Sequence, residues 1–402
     1  DVGVDLGFFN NSLTFGFDWY QRETQDMLAR GQELPSVLGT SAPLTNSGTL
    51  RTRGWELSIG WNHSFGDADI YISANLSDAT TKVTRWNGVD VIYSFNTGSF
   101  YEGGTYGDIW GFETDRFFEE SDFTGKDADG NWIYAPGIAD QSALQTGTFR
   151  YGPGDIKFAD LNGDGVINNG DPNMVDENGE RIPVGTLRNH GDLKVIGNQM
   201  PRYEYSFRIG GAYKGFDLDL FFQGVGKRKM WSSSSFVIPQ GQSSIGNFEN
   251  QSDYNTYEFT YNPETQMQEI TGYNIDQNNW YPGMYAGGSA RGNISNIGYG
   301  SLNFYPQTKY LMNMAYLRLK SVTLGYTLPI DLTRKAYIQK ARIYFTAENP
   351  CLLYNGARRY PLDPEITGYP SGSTFNSSQS LAMTGRAAPM MRTYSFGIQV
   401  SF

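Results

Sequence analysis

The stretch VGVDLGFFNNSLTFGFDW, residues 2–19, decides the fold class. Val2, Val4, Leu6 and Phe8 alternate with Gly3, Asp5 and Gly7; after Asn10-Asn11, Leu13, Phe15, Phe17 and Trp19 alternate with Thr14, Gly16 and Asp18. A period of two sends successive side chains to opposite faces of a pleated strand, so each arm reads as a strand with one apolar and one polar or small face. The same alternation recurs at 55–61, 70–76, 203–209, 216–222, 317–326, 343–347 and 394–402, giving nine expected strands. Within the 317–326 run, Leu317 and Leu319 change parity to Val322, Leu324 and Tyr326, which predicts a bulge near Lys320-Ser321.

Alternation alone also suits a soluble β-sandwich. The connections discriminate. Short turns are expected at Asn10-Asn11, His63–Asp67, Lys214-Gly215 and 328–340, and long segments at 21–49, 79–199, 227–311 and 350–391. Short and long alternate, so all the long ones fall on one side, as in outer-membrane barrels with short periplasmic turns and long extracellular loops. The expected inward residues are polar or charged: Asp18, Glu56, Asn75, Glu204, Arg208, Asp217, Asp219, Arg342, Tyr344 and Glu348. Trp19, Tyr20, Trp55, Trp61, Tyr213 and Tyr326 sit at strand ends, where an interfacial girdle falls. The reading is an all-β, transmembrane antiparallel barrel segment occupying 1–402, with long extracellular loops.

Composition narrows the classes. Aromatics make up 15% of the 402 residues and Gly is present 48 times, while mean hydropathy is −0.47. Strands with one greasy and one wet face, joined by polar loops, produce that mixture. No apolar run approaches the ~20 residues that a spanning helix needs. A net charge of −11 argues against a nucleic-acid partner, which needs a basic face. Cys351 is the only cysteine, so neither an intrachain disulfide nor a cysteine metal site is expected. The chain enters a strand directly after Asp1 with no signal peptide visible, which reads as a processed or partial chain.

Six segments then add specificity: RTRGWELSIGWN (51–62), YGDIWGFETDRFF (106–118), GDIKFADLNGDGVINNGD (154–171), AYLRLKSVTLGYTLP (315–329), RIYFTAENP (342–350) and TYSFGIQVSF (393–402). In this order, over essentially the whole chain, they resemble the C-terminal part of SusC/RagA-like TonB-dependent outer-membrane transporters of Bacteroidetes. The resemblance implies a barrel of about 22 strands filled by an N-terminal plug, of which the nine expected strands would be the last. It also implies a SusD-like lipoprotein over the extracellular mouth, energy from TonB through a region absent here, lipid and lipopolysaccharide around the barrel, and import of oligosaccharides or peptides. A scaffold that borrows the transporter fold is the alternative, because fold does not dictate function.

The sharpest local motif is D-L-N-G-D-G-V-I-N-N-G-D, residues 160–171. Asp160, Asn162 and Asp164 at positions one, three and five, Gly165 at six, the Val166 carbonyl at seven and Asp171 at twelve follow the spacing of an EF-hand-type calcium loop. Asp171 replaces the usual Glu, and an Asx-rich turn without metal is the plainer reading. A bound Ca²⁺ is expected to be structural, pinning a loop of roughly 120 residues against its conformational entropy. The shorter run Asp127-Ala-Asp129-Gly130-Asn131 reads as a hairpin tip. Loop aromatics, chiefly Trp86, Trp110, Trp132, Trp231, Trp280 and Tyr281, with Tyr101 and Tyr106, are the candidate contacts for substrate or partner, set against simple loop packing. Hydrolysis needs a base beside a nucleophile. Only His63, expected in a turn, and His190, in a loop, are available, and neither falls beside an exposed strand serine, so no enzyme activity is expected.

Overall fold

Strand ladders satisfy every backbone group they engage, which a chain facing hydrocarbon requires. In the computed structural model, which describes residues 1–30, 37, 39, 43–88, 92, 100–145, 149–232, 237, 239, 248–264, 266–283, 302–365 and 390–402, nine strands form one antiparallel sheet in chain order. They are β1 (Val2–Phe8), β2 (Leu13–Arg30), β3 (Leu44–Phe65), β4 (Ala68–Trp86), β5 (Arg202–Tyr213), β6 (Phe216–Lys227), β7 (Tyr316–Thr327), β8 (Lys340–Asn355) and β9 (Thr393–Ser401). The sheet is open: among the described residues β1 pairs only with β2, and β9 only with β8.

The register places the alternating apolar residues on one continuous face. Leu6 pairs with Phe15, Phe15 with Ile59, Ile59 with Ala74, Ala74 with Phe207 and Phe207 with Phe222. Farther along, Leu218 pairs with Leu324, Leu324 with Phe345 and Phe345 with Phe396. This face carries exposed large side chains, Phe396 at 83%. Trp55 to Phe65 spans about ten residue steps, ~33 Å along a strand and ~23 Å at a 45° tilt, close to the apolar band of an outer-membrane barrel.

The other face holds the charges. Arg342 grips Asp217 through two hydrogen bonds of 2.9 and 2.5 Å, and Arg208 lies 3.3 Å from Asp219, which also accepts from the Tyr71 hydroxyl. Glycines on this face receive rings from the next strand: Tyr20 lies against Gly54, Tyr71 against Gly210 and Tyr344 against Gly397. Added Cβ atoms at those glycines would collide with the rings. Alternating bulk and absence of bulk in this way fills a concave wall without strain. Tyr20 therefore belongs to the inward face and not to the girdle expected for it; Trp19 and Trp55, paired with each other, keep the outward position.

The expected bulge is present. Lys320 has no partner in either ladder of β7, where pairing passes from Leu319 to Ser321. Lys214 and Gly215 both have positive φ, the conformation of a two-residue hairpin whose twist matches its strands. His63 is in β3 and not in a turn; the turn is Gly66-Asp67, and the His63 ring packs 4.3 Å from Phe65 and 6.1 Å from Trp61. The 21–49 segment is also mostly strand, since β2 continues to Arg30 and β3 begins at Leu44. Past Trp19 and Trp55 the outward face turns polar, so apolar alternation ends while the ladder goes on. Arg51 pairs with Glu23 at 2.7 Å and Arg53 donates to Gln21 at 2.8 Å across it. The long connections shrink accordingly to 31–43, 87–201, 228–315 and 356–392, all at one end of the sheet.

Candidate functional site

At that end the connections condense into a module with its own apolar core. Buried side chains come from three of them: Trp110, Phe112, Phe118, Tyr151 and Ile167 from the first, Tyr281, Phe304 and Tyr310 from the second, Tyr360 and Leu362 from the third. Small hairpins stiffen it, among them Thr114–Phe117 with Ile156–Phe158, Phe123–Lys126 with Trp132–Tyr134, and Thr256–Asn262 with Met267–Asn274. Asp127 accepts from the Asp129 and Asn131 amides, so that acidic run is a hairpin tip as expected.

Polar side chains cross-link the connections where backbone ladders cannot. Asn303 donates to Asp155 at 2.9 Å and accepts from the Ile156 amide at 2.8 Å, both in the interior. Gln277 accepts from the Phe117 amide at 2.9 Å. Gly111 lies so close to the Pro306 carbonyl that no Cβ fits between them. Buried Asp122 takes a two-pronged pairing from Arg116, both contacts at 2.6 Å. Burial pushes its carboxyl up, but the Arg116 bonds and the Glu119 amide outweigh that and hold it below the usual range.

The module is clamped to the barrel wall. Arg318, on the inward face of β7, meets both oxygens of Asp363 at 2.6 Å and Glu365 at 2.8 Å, while Lys320 reaches Glu365 at 2.6 Å. All four side chains are largely buried. Lys320 stands two residues from Arg318, so the pleat sends both side chains to the same face, where both reach Glu365. Sequence reading could not find this clamp, because Asp363 and Glu365 lie in a connection with no periodic signal. Losing one partner of such a buried set leaves an uncompensated charge costing about 3–5 kcal/mol.

The aromatic candidates divide. Tyr281 is fully buried and stacks on Tyr310 at 5.6 Å, and Trp110 is 8% exposed beside Tyr101 and His190. Both are interior side chains that offer no face to a ligand in this structure. Trp86 stacks on Phe100 at 5.2 Å at the end of β4, and Tyr106 lies 5.7 Å from the same Phe100 ring. Trp132 packs against Phe123 and Tyr273, with Lys126 4.6 Å over its ring. Trp132, Trp231 and Trp280 are partly buried against the core and keep a free edge.

In the 160–171 loop Asp160 accepts from the Gly163 and Gly165 amides at 2.6 and 2.9 Å, and Asp164 from the Val166 amide at 2.8 Å. Ile167 is buried, with its amide on the Asp140 carbonyl at 2.8 Å. The fully buried carboxylate of Asp192 accepts from Leu161 and Asn168, drawing the two sides of the loop together. The Asp160 and Asp164 carboxylates thus hold amides of their own turn, and the Val166 carbonyl accepts from the Asn168 side chain at 3.3 Å. The Asp171 carboxylate stands apart from them and accepts from the Asn173 amide. Among the described residues no three His, Cys, Asp or Glu side chains converge as a metal set.

An antiparallel sheet with an apolar outward face, a charged inward face and a packed module over one end defines a segment of an outer-membrane-type β-barrel. Residues 1–168 match the family described as TonB dependent receptor-like, beta-barrel. The whole chain is similar to TonB-dependent receptor P3 of Formosa agariphila, 24% identical over 416 residues, with 34% of that protein covered. TonB-dependent receptor SusC of Bacteroides thetaiotaomicron is 23% identical over 398 residues, covering 95% of this chain and 31% of SusC. In fold, the RagAB peptide transporter aligns over 100% of this chain and 34% of its own, at TM-score 0.55 and 21% identity. Over residues 1–168 the chain thus matches a TonB-dependent receptor barrel, and along its length it is similar to P3 and SusC in sequence and to RagAB in fold, spanning about a third of their length (34% of P3). Such a barrel implies the outer membrane. The curated relatives are described as TonB-dependent receptors and not as enzymes.

Proposed function

We propose that this chain belongs to an outer-membrane transporter that imports oligosaccharides or peptides with energy from TonB, its loop module facing the outside. The observation that supports it best is the module itself. Three connections share one core and are clamped to the inward face of β7, so the barrel mouth is built as a shaped surface and not as slack between strands. RagAB is described as a peptide transporter and importer, and it shares this fold. A SusD-like lipoprotein is proposed as the partner seated on the loop side, in contact with aromatic residues of the 87–201 and 228–315 connections.

Deleting the gene should abolish uptake of at least one labelled glycan or peptide, and removal of TonB should have the same effect. Normal uptake of every compound tested, with a surface complex that falls apart, would show a scaffold instead. Pull-down of the receptor from detergent should bring the lipoprotein with it. The 160–171 loop is proposed as a structural Ca²⁺ site on the spacing of its oxygen donors, with Asp171 swinging in to complete it.

A further inference from the structure

The connections also meet at the indole of Trp280. The Lys309 ammonium lies 4.5 Å from the centre of the Phe117 ring and 5.4 Å from that of Trp280, and the Arg359 guanidinium stands 4.4 Å from Trp280. One indole is thus flanked by two cations. Its orientation is fixed, because its N–H donates to the Tyr360 hydroxyl at 3.2 Å and its carbonyl accepts from the Tyr310 hydroxyl at 2.8 Å. The cations differ in what neutralises them. Arg359 is paired with Asp253 at 2.7 Å. Lys309 donates to the Asn279 carbonyl at 3.0 Å, and among the described residues no carboxylate lies within ion-pairing distance of it. Burial pushes its pKa down, with Asp253 opposing. The local balance is two cations against one carboxylate in a chain whose net charge is −11.

The position matters as much as the charge. Tyr360 precedes by three residues Asp363, which is bonded to Arg318 on the inward face of β7, so at most roughly 11 Å of chain separates them. Trp280 therefore stands at the mouth of the barrel, with an edge outside the core. A half-buried ammonium beside a fixed aromatic face gains most from a ligand that brings an anion and an apolar surface together.

We propose that Lys309, Arg359 and the Trp280 face form a subsite for a carboxylate borne on an apolar or sugar surface, such as the C-terminus of a peptide or a uronic acid. Its use during uptake rests on the import reading above; binding itself does not. The test measures equilibrium binding to the detergent-solubilised receptor with two matched pairs: a short oligopeptide as free acid and as C-terminal amide, and a uronate-bearing oligosaccharide and its methyl ester. The acid member of one pair should bind about tenfold more tightly than its neutral partner, and which pair does so identifies the source of the carboxylate. Lys309→Met should erase that difference, while Lys309→Arg should keep it and so exclude general loosening of the loops. Equal binding of acid and neutral forms in both pairs, or a preference unchanged in Lys309→Met, overturns the subsite. Uptake assayed separately keeps the two ideas apart: import without acid preference refutes the subsite alone, and acid preference without TonB-dependent import refutes the import reading alone.

Discussion

The sheet and the loop module solve opposite solvation problems with the same chain. In the sheet the apolar side chains stand outside, as with Phe396 at 83% exposure, and the charges stand inside. In the module the apolar side chains are interior, with Phe118 and Tyr281 fully buried, and most charges are at the surface or paired. The sheet draws little cohesion from a side-chain core; it is held by ladders and by an apolar face matched to lipid. The module is an ordinary packed interior, assembled from segments more than a hundred residues apart in sequence.

The contrast breaks most visibly under truncation. Phe118→Ala, in the module, should cost about 3–5 kcal/mol by transfer and cavity terms. Phe396→Ala removes a ring from the lipid-facing side and leaves no cavity, so it should cost far less. Limited proteolysis should cut the module of Phe118→Ala while the barrel keeps its heat-modifiable mobility on a gel. Equal sensitivity of the two variants would show that the regions unfold as one unit.

Charge insertion reads the contrast from the barrel side. Leu220 lies between Ile209 and Val322 on the outward face. Leu220→Arg should cost about 2–4 kcal/mol, the scale for an arginine near the bilayer midplane. Asn75→Arg, one sheet face away, should be tolerated, since Asn75 stands on the wet side between Ser58 and Ser206 and donates to Ser206 at 3.4 Å. Folding yields in detergent or liposomes give the ranking, and a reversed order would put the lipid on the other face.

Legibility in the sequence follows the same division. All nine strands and the bulge were readable because period-two alternation is a local signal. The outer parts of β2, β3 and β4 were not, because past the Trp19–Trp55 level both faces are polar and only hydrogen bonding marks the strand. Of the candidate site, the aromatics and the 160–171 loop stood out by composition and spacing. The Arg318–Asp363–Glu365–Lys320 clamp and the Trp280 cations did not, because each joins residues that come together only in the folded chain.

Acid should weaken the module before the sheet. The Asp122 carboxyl is held low in the fold, so its contribution is present above the ordinary carboxylate value of ~3.9 and is lost as pH falls through the lowered one. Between pH 8 and 5 this pair should change nothing; below ~4 protease resistance around 114–158 should drop. Asp192, pushed up by burial, works in the opposite sense. The informative variant is therefore Asp122→Asn, weakened already at pH 7 and lacking that acid step. An identical acid profile in the variant would assign the step to other carboxylates.

The smallest expected effect, and the one that separates an ion site from a bare turn, concerns 160–171. Asp160→Ala is a poor probe alone, because Asp160 accepts the Gly163 and Gly165 amides and its loss loosens the turn with or without metal. The Asp171 carboxylate accepts the Asn173 amide, a bond that an asparagine oxygen can replace. Asp171→Asn should thus leave the metal-free receptor as stable as before. In the parent receptor, millimolar Ca²⁺ should slow proteolysis of the 87–201 connection and chelator should reverse it, because ion binding draws Asp171 toward Asp160 and Asp164 and fixes the turn. Asp171→Asn should abolish that calcium response. A parent receptor whose loop is cut at the same rate with calcium and with chelator would show the turn to be held by its Asx bonds and by Asp192 alone.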